Sequence, residues 1–98
     1  MRLRCGEQSF DRETGLPNAD YLARRVSQEL VRAAQSQGAL AIVICKLDNL
    51  PELRSGADTR RAERLVTRTA EALRAHLREF DVLARSAEDE FAALLPDP

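Results

Sequence analysis

Apolar side chains along the chain fall into two helical stripes and three short runs. Tyr21, Leu22, Val26, Leu30 and Ala33 or Ala34 recur at the spacing of one helix face. Asn18 is placed to cap that helix, Asp20 lies favourably against its dipole, and Gly38 marks its end. Residues 39–45, Ala-Leu-Ala-Ile-Val-Ile-Cys, form an unbroken, partly β-branched run, the pattern of a strand buried on both faces and expected at the centre of a sheet. A polar loop with Pro51 and Gly56 is predicted for residues 46–58, after which Asp58 or Thr59 caps a second helix. Its stripe is Ala62, Leu65, Val66, Thr69, Ala70, Leu73 and Leu77, while Arg60, Arg61, Glu63, Arg64, Arg68 and Glu71 face water. Phe80 is expected to close this helix against the core. Two apolar runs, residues 82–84 and 91–95, then flank three consecutive carboxylates, Glu88, Asp89 and Glu90, which reads as a β-hairpin with an acidic turn.

The order helix, strand, helix, strand, strand predicts an α/β sandwich, with helices packed on a mostly antiparallel sheet. A length of 98 residues allows one small domain. Residues 1–13 are polar and aperiodic and read as a lead-in, leaving residues 14–98 as the domain. The formal net charge of -1 lacks the basic footprint of a protein that grips DNA or RNA. The run over residues 39–45 is far too short to span a bilayer, and residues 1–10 lack the apolar centre of a signal peptide, so a cytoplasmic protein without membrane insertion is expected. Cys45 reads as a small buried hydrophobe and Cys5 as part of the lead-in, and the single histidine, His76, gives no zinc cluster.

The hairpin resembles the signature turn of the GGDEF domain family, the diguanylate cyclase domains of bacterial cyclic-di-GMP signalling. The motif positions read Ala87, Glu88, Asp89, Glu90 and Phe91, with Arg85 two residues ahead; the acidic pair and the Phe match, whereas the two glycines do not. Asp11 with Thr14-Gly15-Leu16-Pro17-Asn18 resembles the family's opening motif, and residues 42–50 its first strand and following loop. The resemblance implies a ferredoxin-like, palm-type nucleotide-cyclase fold, incomplete here because a further helix and strand would follow the hairpin. That incompleteness implies an unpaired strand edge and a partly uncovered core.

Members of the family join two GTP molecules, using magnesium held by carboxylates. At the first-strand metal position this chain has Lys46, whose ammonium repels a dication, which leaves Asp89 as a lone, weak candidate ligand. Pro51 replaces an expected basic residue, Arg54 an Asn that contacts guanine, and Glu63 an Asp, while Ala87 and Glu88 are expected to narrow the nucleotide pocket and strain the turn. Lys46 is also placed to pair with Asp89 or Glu88 in lieu of metal. The resemblance further implies a cyclic-di-GMP site at an Arg-x-x-Asp just upstream of the turn, occupied here by Arg78 and Asp81. A guanidinium forks onto guanine O6 and N7, while a carboxylate accepts from N1 and N2. Read as structure alone, Arg78 complements a helix C-terminus and Asp81 is a junction residue. Three functions follow, in order of fit: a catalytically inactive GGDEF-like domain that regulates or receives cyclic-di-GMP through Arg78 and Asp81; an interaction module binding no nucleotide, working as a homodimer or joined covalently to other signalling domains; and an active diguanylate cyclase, which alone would need magnesium.

Overall fold

A computed structural model of the chain describes residues 9–56 and 58–98. Cys5 and the start of the lead-in lie outside the described residues. Helix α1 spans Ala19–Ser36, strand β1 Leu40–Lys46, helix α2 Leu50–Ser55, helix α3 Thr59–Ala75, strand β2 Val82–Ala87 and strand β3 Glu90–Pro96. The strands form one antiparallel sheet in the order β1-β3-β2.

Local chemistry sets the helix starts. Asn18 Oδ1 accepts from the Tyr21 amide at 3.0 Å and Asp58 Oδ1 from the Arg61 amide at 3.1 Å, each satisfying a donor that the first turn leaves free. Replacing Asn18 with alanine is expected to cost about 1 kcal/mol, measured as a lowered urea midpoint at unchanged slope. At the other end of α1 the left-handed residue is Gln37, with φ 56°, one position before the glycine expected to stop the helix. Gly38 serves a different purpose: a Cβ there would lie 2.7 Å from Asp97 Oδ1, which instead accepts from the Ala39 amide at 3.2 Å. The glycine thus lets the C-terminal Asp97 tie down the entry to β1.

Several expectations are corrected by the packing. β3, not β1, is the central strand; β1 pairs on one side only, from Leu40 opposite Pro96 to Lys46 opposite Glu90. α1 lies mainly over β2 and merely touches β1. Ile42, Val43 and Ile44 are therefore about half exposed, at 48%, 52% and 55%, although their run reads as buried. This is the open edge that the family resemblance implies. On α1 the turn toward β2 carries Tyr21, Leu22 and Val26 partly inward, but buries Glu29 and leaves Leu30 exposed.

The segment expected as a polar loop contains α2. Pro51 is tolerated in its first turn, where its missing N–H had no partner to lose, and Leu50 is fully buried beside Leu53. Burying Leu50 contributes roughly 1.5–3 kcal/mol, which anchors a helix too short to persist alone. The core gathers Leu16, Leu50, Ala62, Val66, Ala70, Leu83, Phe91 and Ala93, with Cys45 packed at its border rather than buried. In α3 the innermost line is Ala62, Val66 and Ala70, while Leu65 drifts to the rim. Phe80 does not close the helix. It is 75% exposed, because the chain leaves α3 at Ala75 and Leu77 takes the inward position.

Candidate functional site

Arg78 and Asp81 meet in the short turn between α3 and β2. The Asp81 carboxylate accepts from the Arg78 amide at 2.7 Å, from its Nε at 3.3 Å and from its Nη2 at 2.9 Å. The same guanidinium donates to the carbonyls of Pro96 at 2.8 Å and Asp97 at 3.1 Å, so it clasps the end of β3. Of its five N–H groups only one, on Nη1, is left uncommitted. The Asp81 side chain is covered, at 3% exposed, while that of Arg78 is 55% exposed. The forked hydrogen bonds from Arg78 hold the Asp81 carboxyl below the usual carboxylate range, and Asp81 in turn raises the Arg78 guanidinium. Both residues line a cleft of about 870 Å³ whose opposite wall is α1.

The acidic turn is built differently from expectation. Ala87 pairs with Glu90, so Glu88 and Asp89 alone form the turn, and the register shifts between Arg85 and Ala87 as a bulge. None of these residues takes a positive φ. The bulge absorbs the twist that a two-residue turn otherwise meets with left-handed backbone, so Ala87 and Glu88 carry none of the strain expected where glycines are missing. Ala87 and Glu88 are exposed, Asp89 and Glu90 half-buried, and Phe91 is a core residue at 1% exposed. Glu90 accepts from Ser86 Oγ at 2.8 Å.

Lys46 does not pair with Asp89 or Glu88. The Asp89 contact with the β1 end is through backbone, its carbonyl accepting from the Leu47 amide at 2.7 Å. Glu88 instead meets Arg54 Nε at 3.4 Å. Lys46 itself stands opposite Glu90 in the sheet register, exposed, and among the described residues it makes no ion pair within 4.0 Å. Glu63 is exposed on α3 and Pro51 on α2, so neither joins this group.

One functional-looking residue escapes sequence reading as more than a motif neighbour. Arg85 is buried, its side chain 4% exposed, and its Nη1 donates to Asp11 Oδ2 at 3.2 Å and to Glu13 Oε1 at 2.6 Å, while Nη2 donates to the Glu88 carbonyl. Arg54 Nη2 shares Glu13 Oε1 at 2.8 Å. A chain of alternating charge thus runs Asp11, Arg85, Glu13, Arg54, Glu88 and ties the opening motif, α2 and the turn together. Asp11 is pre-set for this by its own loop: its Oδ2 accepts from the Thr14 amide at 2.9 Å and the Thr14 hydroxyl at 2.7 Å. Burial opposes ionisation of Asp11 and Glu13. The Thr14 donors and Arg85 outweigh it for Asp11, and Arg85 and Arg54 for Glu13, so both carboxyls sit below their usual 3.8 and 4.5. The signal in sequence was the one charged residue of the strand at residues 82–87.

Magnesium does not fit this arrangement. Among the described residues no three His, Cys, Asp or Glu side chains gather in a way that could hold a metal ion. Lys46 occupies the strand end beside the one remaining carboxylate position, Asp89, and like repels like there.

The chain and its fold are similar to those of known proteins. The chain is 31% identical over 83 residues to the diguanylate cyclase DgcP of Pseudomonas aeruginosa, covering 85% of this chain and 12% of that protein. The solved GGDEF domain of TpbB (YfiN) from Pseudomonas aeruginosa superposes with a TM-score of 0.81 at 31% identity, over 88% of this chain and 50% of that one. The GGDEF domain of DgcB from Caulobacter crescentus, solved in complex with c-di-GMP, shares the fold with a TM-score of 0.86 at 15% identity, over 100% of this chain and 55% of that one. The chain therefore spans about half the length of these solved domains and between 12% and 29% of the curated relatives it matches. No helix among the described residues is long and apolar enough to cross a membrane. With the model of the "Diguanylate cyclase, GGDEF domain" family matching residues 8–98, the chain belongs to the GGDEF domain family.

Proposed function

We propose that this GGDEF domain is catalytically inactive and acts in cytoplasmic signalling as a regulatory receptor for cyclic-di-GMP, bound at Arg78 and Asp81. The observation that carries the reading is the forked pair itself, an arginine and a covered carboxylate side by side on the wall of a cleft of nucleotide size. Inactivity is supported by Lys46 at the metal position and by Arg54, which bridges Glu13 and Glu88 across the turn where a nucleotide would approach. The working unit is residues 14–98, with Asp11 and Glu13 just ahead of it docked on Arg85.

Titration of isotope-labelled protein with cyclic-di-GMP, followed by amide NMR, tests the reading. Saturable shifts are expected over residues 78–85. They are expected also at Asp97 and Ala39, because Arg78 must release the Pro96 and Asp97 carbonyls to donate to a guanine. A well-dispersed spectrum that does not move would sink the receptor function. Incubation with GTP and magnesium is expected to yield no cyclic-di-GMP, and any product would overturn the role given to Lys46.

The exposed row Ile42, Val43 and Ile44 on the unpaired edge of β1 favours a second function, that of a dimerisation module. Its occupant would be a second copy of this chain, and sedimentation velocity over a range of concentrations distinguishes it: a monomer throughout rejects the dimer.

A further inference from the structure

The outward face of α3 carries charges that the fold itself does not use. The helix holds five arginines against two glutamates, in a chain whose formal net charge is -1. Arg60, Arg61, Arg64 and Arg68 are all exposed, and among the described residues their guanidinium groups make no ion pair or hydrogen bond. Within α3 their placement is unfavourable. Arg60 and Arg61 sit in the first turn, at the positive end of the helix dipole, where α3 has no acidic residue. Arg60, Arg64 and Arg68 follow at four-residue spacing, so like charges stand about 6 Å apart along one line.

A second pattern lies on the same face. Arg61, Leu65, Arg68, Ala72 and Ala75 are exposed and recur at alternating intervals of four and three residues, the spacing at which one helix packs along another. Leu65 is 36% exposed, and the two alanines leave room for close approach.

We propose that this face docks an acidic α-helix of another protein, one with a glutamate or aspartate at every fourth position. Each guanidinium forks onto a carboxylate of that helix, and Leu65, Ala72 and Ala75 pack against its small apolar residues. A second copy is not the occupant. Packing α3 on α3 sets arginine against arginine, and no helix among the described residues has carboxylates at successive four-residue intervals. A bilayer is the poorer match, since the row is one helix wide and about 12 Å long from Arg60 to Arg68, whereas lipid headgroups form a plane. The face is separate from Arg78 and Asp81, which follow the other end of α3, so it stands or falls independently of cyclic-di-GMP binding.

The test is calorimetric titration of the full chain with a synthetic alanine-based helical peptide bearing glutamate at i, i+4 and i+8, with leucine beside that row. The control peptide has the same residues with its glutamates dispersed around the helix. The ordered peptide is expected to bind roughly tenfold more tightly than the control. Its affinity is expected to fall roughly tenfold between about 50 mM and about 300 mM salt, as screening shortens. Arg64→Glu reverses the charge at the middle of the row and turns both four-residue repulsions into attractions. Its urea midpoint is expected to rise slightly while affinity for the ordered peptide drops roughly tenfold or more. Arg68→Glu gives the same reading should Arg64→Glu fold poorly. Equal affinity for the two peptides, or for Arg64→Glu and the unaltered chain, rejects the docking face. Co-sedimentation with phosphatidylglycerol vesicles that Arg64→Glu abolishes, without selective peptide binding, gives the face to a membrane and likewise rejects a helical partner.

Discussion

Replacing Arg85 with alanine is expected to destabilise the domain by about 3 kcal/mol, in the range for breaking one side of a buried ion pair. The estimate sits at the low end because its partners Asp11 and Glu13 are 23% and 27% exposed and regain some water when the guanidinium is gone. Against a total stability of roughly 5–15 kcal/mol for a small domain, such a loss is large. Two separate segments share that side chain, the opening loop through Asp11 and Glu13 and the turn through the Glu88 carbonyl, so its removal loosens both at once. Arg85→Lys is expected to recover less than half, since one ammonium cannot reach two carboxylates and the Glu88 carbonyl with fork geometry. The readout is the urea midpoint, with slope held constant. A change below about 0.5 kcal/mol, the scale of ordinary surface substitutions, would mean that the network is only a surface feature.

The same network sets an acid limit. Folded-state pKa values of Asp11 and Glu13 are depressed, so their contribution is fully present above the usual values of 3.8 and 4.5. It is lost as pH falls through the folded values below these. Stability is thus expected to decline below about pH 4.5, and in Arg85→Ala this acid-side decline flattens. The two measurements check one another.

Replacing Arg78 with alanine is expected to lower affinity for cyclic-di-GMP by between about tenfold and about 100-fold. A forked, charge-assisted contact contributes roughly 1.5–3 kcal/mol, and each 1.4 kcal/mol is about tenfold. Asp81 adds to the loss, since it is then covered without its partner. The fold should survive, because the Arg78 side chain is 55% exposed and its remaining bonds go only to the end of β3. Amide shifts confined to the turn at residues 77–82, to Asp97 and to the entry to β1 would confirm that only this clasp has opened. Arg78→Lys keeps the charge and loses the fork, and is expected to recover no more than a tenth of the affinity. With the Asp81 pKa pulled down by Arg78, binding is expected to stay level from pH 8 to pH 5 and to fall only as the pH drops through that lowered value, below 3.8. Unchanged affinity in Arg78→Ala would place any ligand elsewhere.

The pattern of the sequence was enough for α1, α3, the hairpin and the class of fold, because each depends on contacts within a few residues: the Asn18 and Asp58 caps, the four-residue recurrence of Ala62, Val66 and Ala70, the apolar runs on either side of the acidic turn. The family resemblance, not periodicity, singled out Arg78 and Asp81, which lie three residues apart and meet. Position in the sheet was not legible in this way. Residues 39–45 read as a central strand because apolar β-branched residues mark a strand whatever its neighbours, and only the order β1-β3-β2 exposes Ile42, Val43 and Ile44. α2 was hidden because Pro51 reads as a breaker, while what holds the helix is Leu50 in a core assembled from four other elements. Phe80 was misplaced because hydrophobicity says that a ring prefers burial without saying whether the chain's exit from α3 points it there. Pairings between Arg85, Asp11 and Glu13 span 72 to 74 residues of chain, and Glu29 meets the Arg78 cleft from another helix. Such long-range electrostatic partners leave no periodic trace. Charge type is written in the sequence, but which charges meet, and which become covered, is decided only when the sheet and helices close on one another.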